Sequence, residues 1–96
     1  MKYFDWENSK NEQLKKEREI SFEDIVIAID EGRLCDILVH PNQKRYPHQQ
    51  IFVVAVYEYA YLVPFVEDDE KVFLKTIIPS RKATKKYVIG SKNKKP

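Results

Sequence analysis

Cysteine occurs once in this chain of 96 residues, at Cys35, so neither an internal disulfide nor a cysteine-based zinc site can form. Glycine occurs only at Gly32 and Gly90, which excludes a glycine-rich phosphate loop. HxxxH, CxxC and DxD spacings are all missing, and no metal or other cofactor is expected. Long apolar runs are missing too. Residues 51–66 are interrupted by Glu58 and Pro64 and fall short of the roughly 18 consecutive apolar residues that a membrane helix needs. The opening Met1-Lys2-Tyr3-Phe4-Asp5-Trp6-Glu7 turns acidic at once, unlike a secretory signal. A cytoplasmic protein with no membrane association is the expectation.

The most consequential absence is of charge of one sign. No acidic residue follows Glu70, and all 15 carboxylates lie in residues 1–70. From Val72 onward Lys75, Arg81, Lys82, Lys85, Lys86, Lys92, Lys94 and Lys95 are unopposed. The formal net charge of +2 hides this polarity, which points to phosphate or to an acidic partner. Residues 91–96 also suit a solvated lysine run. With no apolar face to dock, residues 89–96 are expected to form a flexible basic tail behind a single domain of residues 1–88. The stretch from Ile77 to Tyr87 differs, because it joins an apolar strand to a basic helix and so has a structural place.

Ser9 to Arg18 is polar, rich in helix formers and nearly free of β-branched residues, which predicts a first helix anchored by Leu14 and Trp6. Ser21 reads as the N-cap of a second helix over 22–31, with Glu23 and Asp24 suiting its dipole and Gly32 ending it. Phe22, Ile25, Val26 and Ile29 would form its apolar face. Short β-branched and aromatic runs follow at 35–40, 50–57, 59–66 and 72–78, an antiparallel meander of about four strands. Tyr57-Glu58-Tyr59 reads as a tight turn, Glu67-Asp68-Asp69-Glu70 as an acidic one, and Pro41 to His48 as a longer connection. Ile51 to Val56 is apolar on both faces, so its strand is expected to be central and covered on each side. Pro64 cannot donate a ladder hydrogen bond and predicts an edge or a bulge. Arg81 to Tyr87 can form a short basic helix capped by Ser80. The fold class is α+β.

Two segments resemble a known family. Phe4-Asp5-Trp6-Glu7 with Lys10 and Asn11, then Ile20-Ser21-Phe22-Glu23-Asp24, resembles the N-terminal pattern of BrnT-type toxins. Ile78-Pro79-Ser80-Arg81-Lys82-Ala83-Thr84-Lys85-Lys86 is similar to that family's closing motif. Together they bracket residues 4–86. Lys16-Glu17-Arg18-Glu19 stands where the family commonly has Lys-His-Gly, and the middle of the chain marks a divergent subgroup. The resemblance implies a RelE/ParE-like fold, a ribonuclease toxin of a type II toxin–antitoxin pair, a ribbon-helix-helix antitoxin as partner, and operator DNA contacted through their complex. A degenerate, non-catalytic binding module that only pairs with its antitoxin and co-represses their shared promoter is the alternative.

Metal-free RNA cleavage requires attack by the 2′-hydroxyl on its own phosphate, with fixed cations stabilising the added negative charge. Lys75, Arg81, Lys82 and Lys85, with Lys86 beside them, could supply those cations. Arg81 is the first choice because its planar fork can hold two phosphate oxygens. Surface ion pairing or an antitoxin contact would equally account for Arg81 and Lys82. Lys75 reads as a strand residue on the face of Phe73 and Ile77, where it could instead snorkel to the rim. His48, on a polar loop, could act as acid or base or stand simply solvated. Glu58 and Tyr87 are secondary candidates for proton transfer or stacking, and His40 and Cys35 are read as structural.

Overall fold

The structure, a computed structural model, describes residues 2–90. Strand β1 (Tyr3–Asp5) leads into helices α1 (Asn8–Arg18) and α2 (Phe22–Asp30), followed by β2 (Leu34–Val39), β3 (Gln50–Val56), β4 (Tyr59–Glu67), β5 (Lys71–Leu74) and β6 (Ile78–Pro79). Helix α3 (Arg81–Ala83) runs directly into a π-helical segment, Thr84–Ile89. The class is α+β, as expected. Residues 91–96, most of the anticipated basic tail, lie outside the described residues. Among those described, no helix is long and apolar enough to cross a membrane.

The two N-terminal helices form for local reasons. Ser21 Oγ accepts from the Asp24 N–H at 3.1 Å while Asp24 Oδ2 accepts from the Ser21 N–H at 3.0 Å, a capping box that fixes the start of α2. Helix α1 ends at Glu19, whose φ of 55° turns the chain sharply toward α2. The buried Asn11 spans the junction: its Oδ1 accepts from the Phe22 N–H at 2.8 Å and its Nδ2 donates to Glu23 at 2.9 Å. That hydrogen bond is the chief reason the Glu23 carboxyl sits below its usual range. Trp6 stacks on the fully buried Phe22, ring centroids 5.6 Å apart.

The meander β2–β5 is antiparallel as predicted, but the sheet is mixed, ordered β1-β5-β4-β3-β2 with β6 also on β4. Strand β1, not anticipated, lies parallel to β5. Three residues carry no readable period, and the partner lies 68 positions away, as in Tyr3 opposite Lys71. Ion pairs from Lys2 to Glu67 (2.7 Å) and from Lys71 to Asp5 (3.2 Å) tie β1 down.

The anticipated strand 72–78 splits in two, and Pro64 is the reason. Pro64 lies in the interior strand β4, opposite Ile51 of β3. On its other side Phe65 pairs with Leu74 and Leu62 with Ile78, so two β4 residues face three residues of the partner. The proline offers no N–H there. Only its carbonyl bonds, accepting from the Lys75 N–H at 2.8 Å. The irregularity thus falls on the strand beside Pro64, and the Arg18 guanidinium supports it by donating to the Ile77 carbonyl at 2.6 Å.

Strand β3 is covered on each side, as its sequence predicts. Phe52, Val54 and Val56 face α1 and α2 in the main core with Leu14, Phe22 and Ile25. Val53 faces the other way into a small second core with Ala60 and Ala83, bordered by Cys35, Leu62, Tyr87 and Val88. The C-terminal helical segment therefore roofs the second face of the sheet.

Candidate nucleic-acid interface

The second face carries most of the predicted cations. The C-terminal helical segment reaches it through four linked bonds. Ser80 Oγ caps it by accepting from the Ala83 N–H at 3.1 Å, the Ser80 N–H donates to the Ala60 carbonyl at 3.0 Å, and the buried Thr84 hydroxyl accepts from the Ala60 N–H at 2.8 Å while donating to the Ser80 carbonyl at 2.7 Å. Clamped this way, the segment turns Ala83 and Thr84 onto the sheet and leaves its lysines outside.

Between this segment and the sheet lies an open groove of about 260 Å³, lined by Leu38, Leu62, Ser80, Lys82, Ala83, Lys86 and Tyr87. Its floor is apolar and its rim basic. Lys82 and Lys86 stand on the same flank, four residues apart, and the Lys86 ammonium lies 5.2 Å from the centre of the Tyr87 ring. Tyr87 is oriented by its hydroxyl, which donates to Asp36 Oδ2 at 2.7 Å. This bond, with the Ile37 N–H donating to Oδ1, lowers the Asp36 carboxyl below the ordinary range and raises the Tyr87 phenol above its own.

Lys75 is exposed and lies just beyond β5 rather than within a strand. Its ammonium sits 5.6 Å from the Phe73 ring centre, with Lys71 on the same ring at 5.8 Å. Val72 and Leu74 point into the main core, so Phe73 and the two ammoniums over it occupy the second face. Ile77, expected on that face, is fully buried on the other, because the irregularity opposite Pro64 breaks the alternation. Lys75 bonds Pro64, two residues along β4 from the groove residue Leu62, a spacing of about 7 Å in an extended strand.

Other candidates fall elsewhere. Arg81 and Lys85 are exposed but outside the groove lining, on the outer flank of the segment. Arg81 opens the run that continues from α3 into the π-helical segment Thr84–Ile89. His48 is exposed on the loop entering β3, away from the lining. His40 is half-buried, its ring tilted against Tyr46 with centroids 4.4 Å apart and its Nδ1 accepting from the Asn42 N–H. Glu58 occupies the β3–β4 turn, where it and Tyr57 both have positive φ, 63° and 53°. Cys35, at the border of the second core, is held as a thiol by burial. Sequence reasoning missed Phe73 and the apolar floor; the aromatic between Lys71 and Lys75 at period two was the available signal. Among the described residues no group of three or more His, Cys, Asp or Glu is placed to hold a metal ion.

Comparison of the chain with protein families, curated proteins and solved structures found no match.

Proposed function

We propose that this protein binds RNA through the groove of Lys82, Lys86 and Tyr87, as a toxin-like domain of the RelE/ParE kind whose partner is a ribbon-helix-helix antitoxin. The observation that carries this reading is the second sheet face. Lys75, Lys82 and Lys86, which have no ion-pair partner among the described residues, flank the half-buried rings of Phe73 and Tyr87, with an apolar floor between. Ammoniums suit phosphates and rings suit unstacked bases, the combination that single-stranded RNA requires.

Cleavage is the further step that the sequence resemblance implies. Attack by a 2′-oxygen needs cations at the phosphate and a group to move the proton. Lys82, Lys86 and Lys75 can serve the first need. The groove lining includes neither an imidazole nor a carboxylate, and the Tyr87 hydroxyl is committed to Asp36. This favours a second reading, a non-catalytic module that binds RNA or its antitoxin without cutting.

Induced expression, with RNA integrity and growth followed together, separates the two. Growth arrest with RNA cleavage supports the ribonuclease. Salt-sensitive RNA binding by the purified protein without cleavage supports an RNA-binding module, and no RNA binding at low salt rejects the ribonuclease and leaves only a module that pairs with its antitoxin. Should cleavage occur and Arg81→Ala abolish it while binding persists, the chemistry runs on the outer flank of the C-terminal segment and the groove only positions the strand.

A further inference from the structure

Among the described residues strand β2 ends the sheet, with β3 on one side and no strand on the other. Its second half carries three consecutive large apolar residues, Ile37, Leu38 and Val39, exposed by 48, 38 and 66%. Such an edge is normally blunted by a lysine, a proline or a bulge. Here the bulge lies at the far end, where the register shifts between Leu34 and Asp36, and the proline comes only at Pro41. Residues 36–39 are left as an open, regular strand.

We infer that this edge pairs with β2 of a second copy of the chain, antiparallel and centred on Leu38. The direction of the backbone groups sets the register. The His40 N–H donates to Gln49 beside β3, so the N–H and C=O groups of residues 36, 38 and 40 point toward β3, and those of Ile37 and Val39 point outward. The Ile37 N–H agrees, since it bonds to Asp36 Oδ1 and not to β3. A two-fold axis at Leu38 then sets Ile37 against the second copy's Val39 twice over, as two hydrogen-bonded pairs with four main-chain bonds.

The same register brings a hydrogen-bond donor and an acceptor into complementary positions. Asp36 falls opposite His40 of the second copy, at both ends, on the face that also bears Leu38. When the Ile37 N–H turns to the second strand, Asp36 Oδ1 is released, while Oδ2 stays with Tyr87. His40 Nδ1 already accepts from Asn42, so its Nε2 is the nitrogen that carries a proton outward to Oδ1. The contact is small beside the ~1,200–2,000 Å² of a standard interface, so the dimer exchanges rapidly and forms with rising concentration. This inference is independent of the RNA reading. It would extend one sheet across both copies and set two lysine-rimmed grooves side by side, because Leu38 lines each groove.

Cross-linking tests the register directly. In a non-hydrogen-bonded antiparallel pair the facing Cα atoms lie about 4.5 Å apart, within the ~4.4–6.8 Å that a disulfide spans. On a Cys35→Ala background, Leu38→Cys is expected to give a disulfide-linked dimer under mild oxidation, whereas Ile37→Cys, facing Val39, is not. In sedimentation, the wild-type mass is expected to climb from 11.5 kDa toward twice that value with concentration. Val39→Pro, which removes an outward N–H and leaves the bonds to β3 intact, is expected to stay monomeric. Ile37→Lys, an exposed side-chain change, serves should the proline variant not fold. A mass of 11.5 kDa throughout, up to about 1 mM, overturns the inference and leaves the edge to a strand of another protein. Equal cross-linking by Ile37→Cys, or a dimer that survives both edge variants, overturns it as well.

Discussion

Single side chains divide into those that build the groove and those that meet the ligand. Lys82 and Lys86 are of the second kind, exposed and without ion-pair partners among the described residues. Their joint replacement by alanine is expected to leave the melting temperature nearly unchanged and to flatten the salt dependence of RNA binding. For single strands the slope of log K against log salt should fall by about 1.4, the share of two phosphate contacts. An unchanged slope would place the phosphates elsewhere, with Lys75 and Arg81 next. Tyr87 serves both ends, its ring lining the groove and its hydroxyl bonding Asp36. The bond to Tyr87 depresses the folded pKa of Asp36, so its stabilisation is present above the ordinary aspartate value of about 4 and is lost as pH falls through the depressed one. The folded pKa of Tyr87 is raised, so its stabilisation is present below about 10 and is lost as pH rises through the raised value. Tyr87→Phe should therefore be less stable than wild type at neutral pH, with the gap closing at both extremes. Thermal unfolding across pH checks this.

Among the elements, the junction of α1 and α2 shows how a motif that looks functional can be structural. Asn11, part of the N-terminal pattern that resembles the toxin family, is 1% exposed and spends both ends of its amide on the start of α2. Asn11→Ala would leave the Phe22 N–H buried without a partner, and a loss of about 1–3 kcal/mol is expected from denaturant unfolding. Asn11→Asp keeps the acceptor but sets a carboxylate against Glu23, so it should recover little at neutral pH. The β3–β4 hairpin offers a contrast in kind. Its two-residue turn places both Tyr57 and Glu58 at positive φ, which Asn-Gly would satisfy more cheaply. The seven cross-strand pairs from Gln50–Phe65 to Val56–Tyr59 impose that geometry on residues that do not favour it.

At the scale of the whole molecule, two cores of unequal size lie on the two faces of one sheet. The main core would survive loss of the C-terminal segment; the second would not, since Ala83, Tyr87 and Val88 complete it. A chain ending after Pro79 is expected to uncover Val53, Ala60 and Leu62 and to lose solubility. Its Cys35 should also react faster with a thiol reagent than in the full chain, where burial raises the thiol's pKa. Equal thiol reactivity in the two proteins would show that the segment does not seal this face. The charge polarity finds its place at the same scale. The basic segment stands over the sheet face opposite α1 and α2, so its cations are held away from the Glu23, Asp24 and Asp30 carboxylates of α2, and Asp36 is the carboxylate brought to it.

Much of this was legible in the chain because it depends on near neighbours. The Ser21 and Ser80 caps, the helix expected over 22–31 and found over Phe22–Asp30, the doubly covered β3 and the acidic turn before β5 each follow from residues a few positions apart, where period and hydrogen-bonding capacity act locally. The parallel pairing of β1 with β5 depends on a partner far along the chain, which no period records. Pro64 announced a missing donor, but only the assembled sheet decided that the break would fall on the neighbouring strand and turn Ile77 inward. The sequence likewise named the lysines without placing them. Which of them share the groove with Tyr87, and that Arg81 and His48 lie outside it, was settled by the clamp of Ser80 and Thr84 on Ala60, because a helix flank acquires a meaning only when the surface beneath it is fixed.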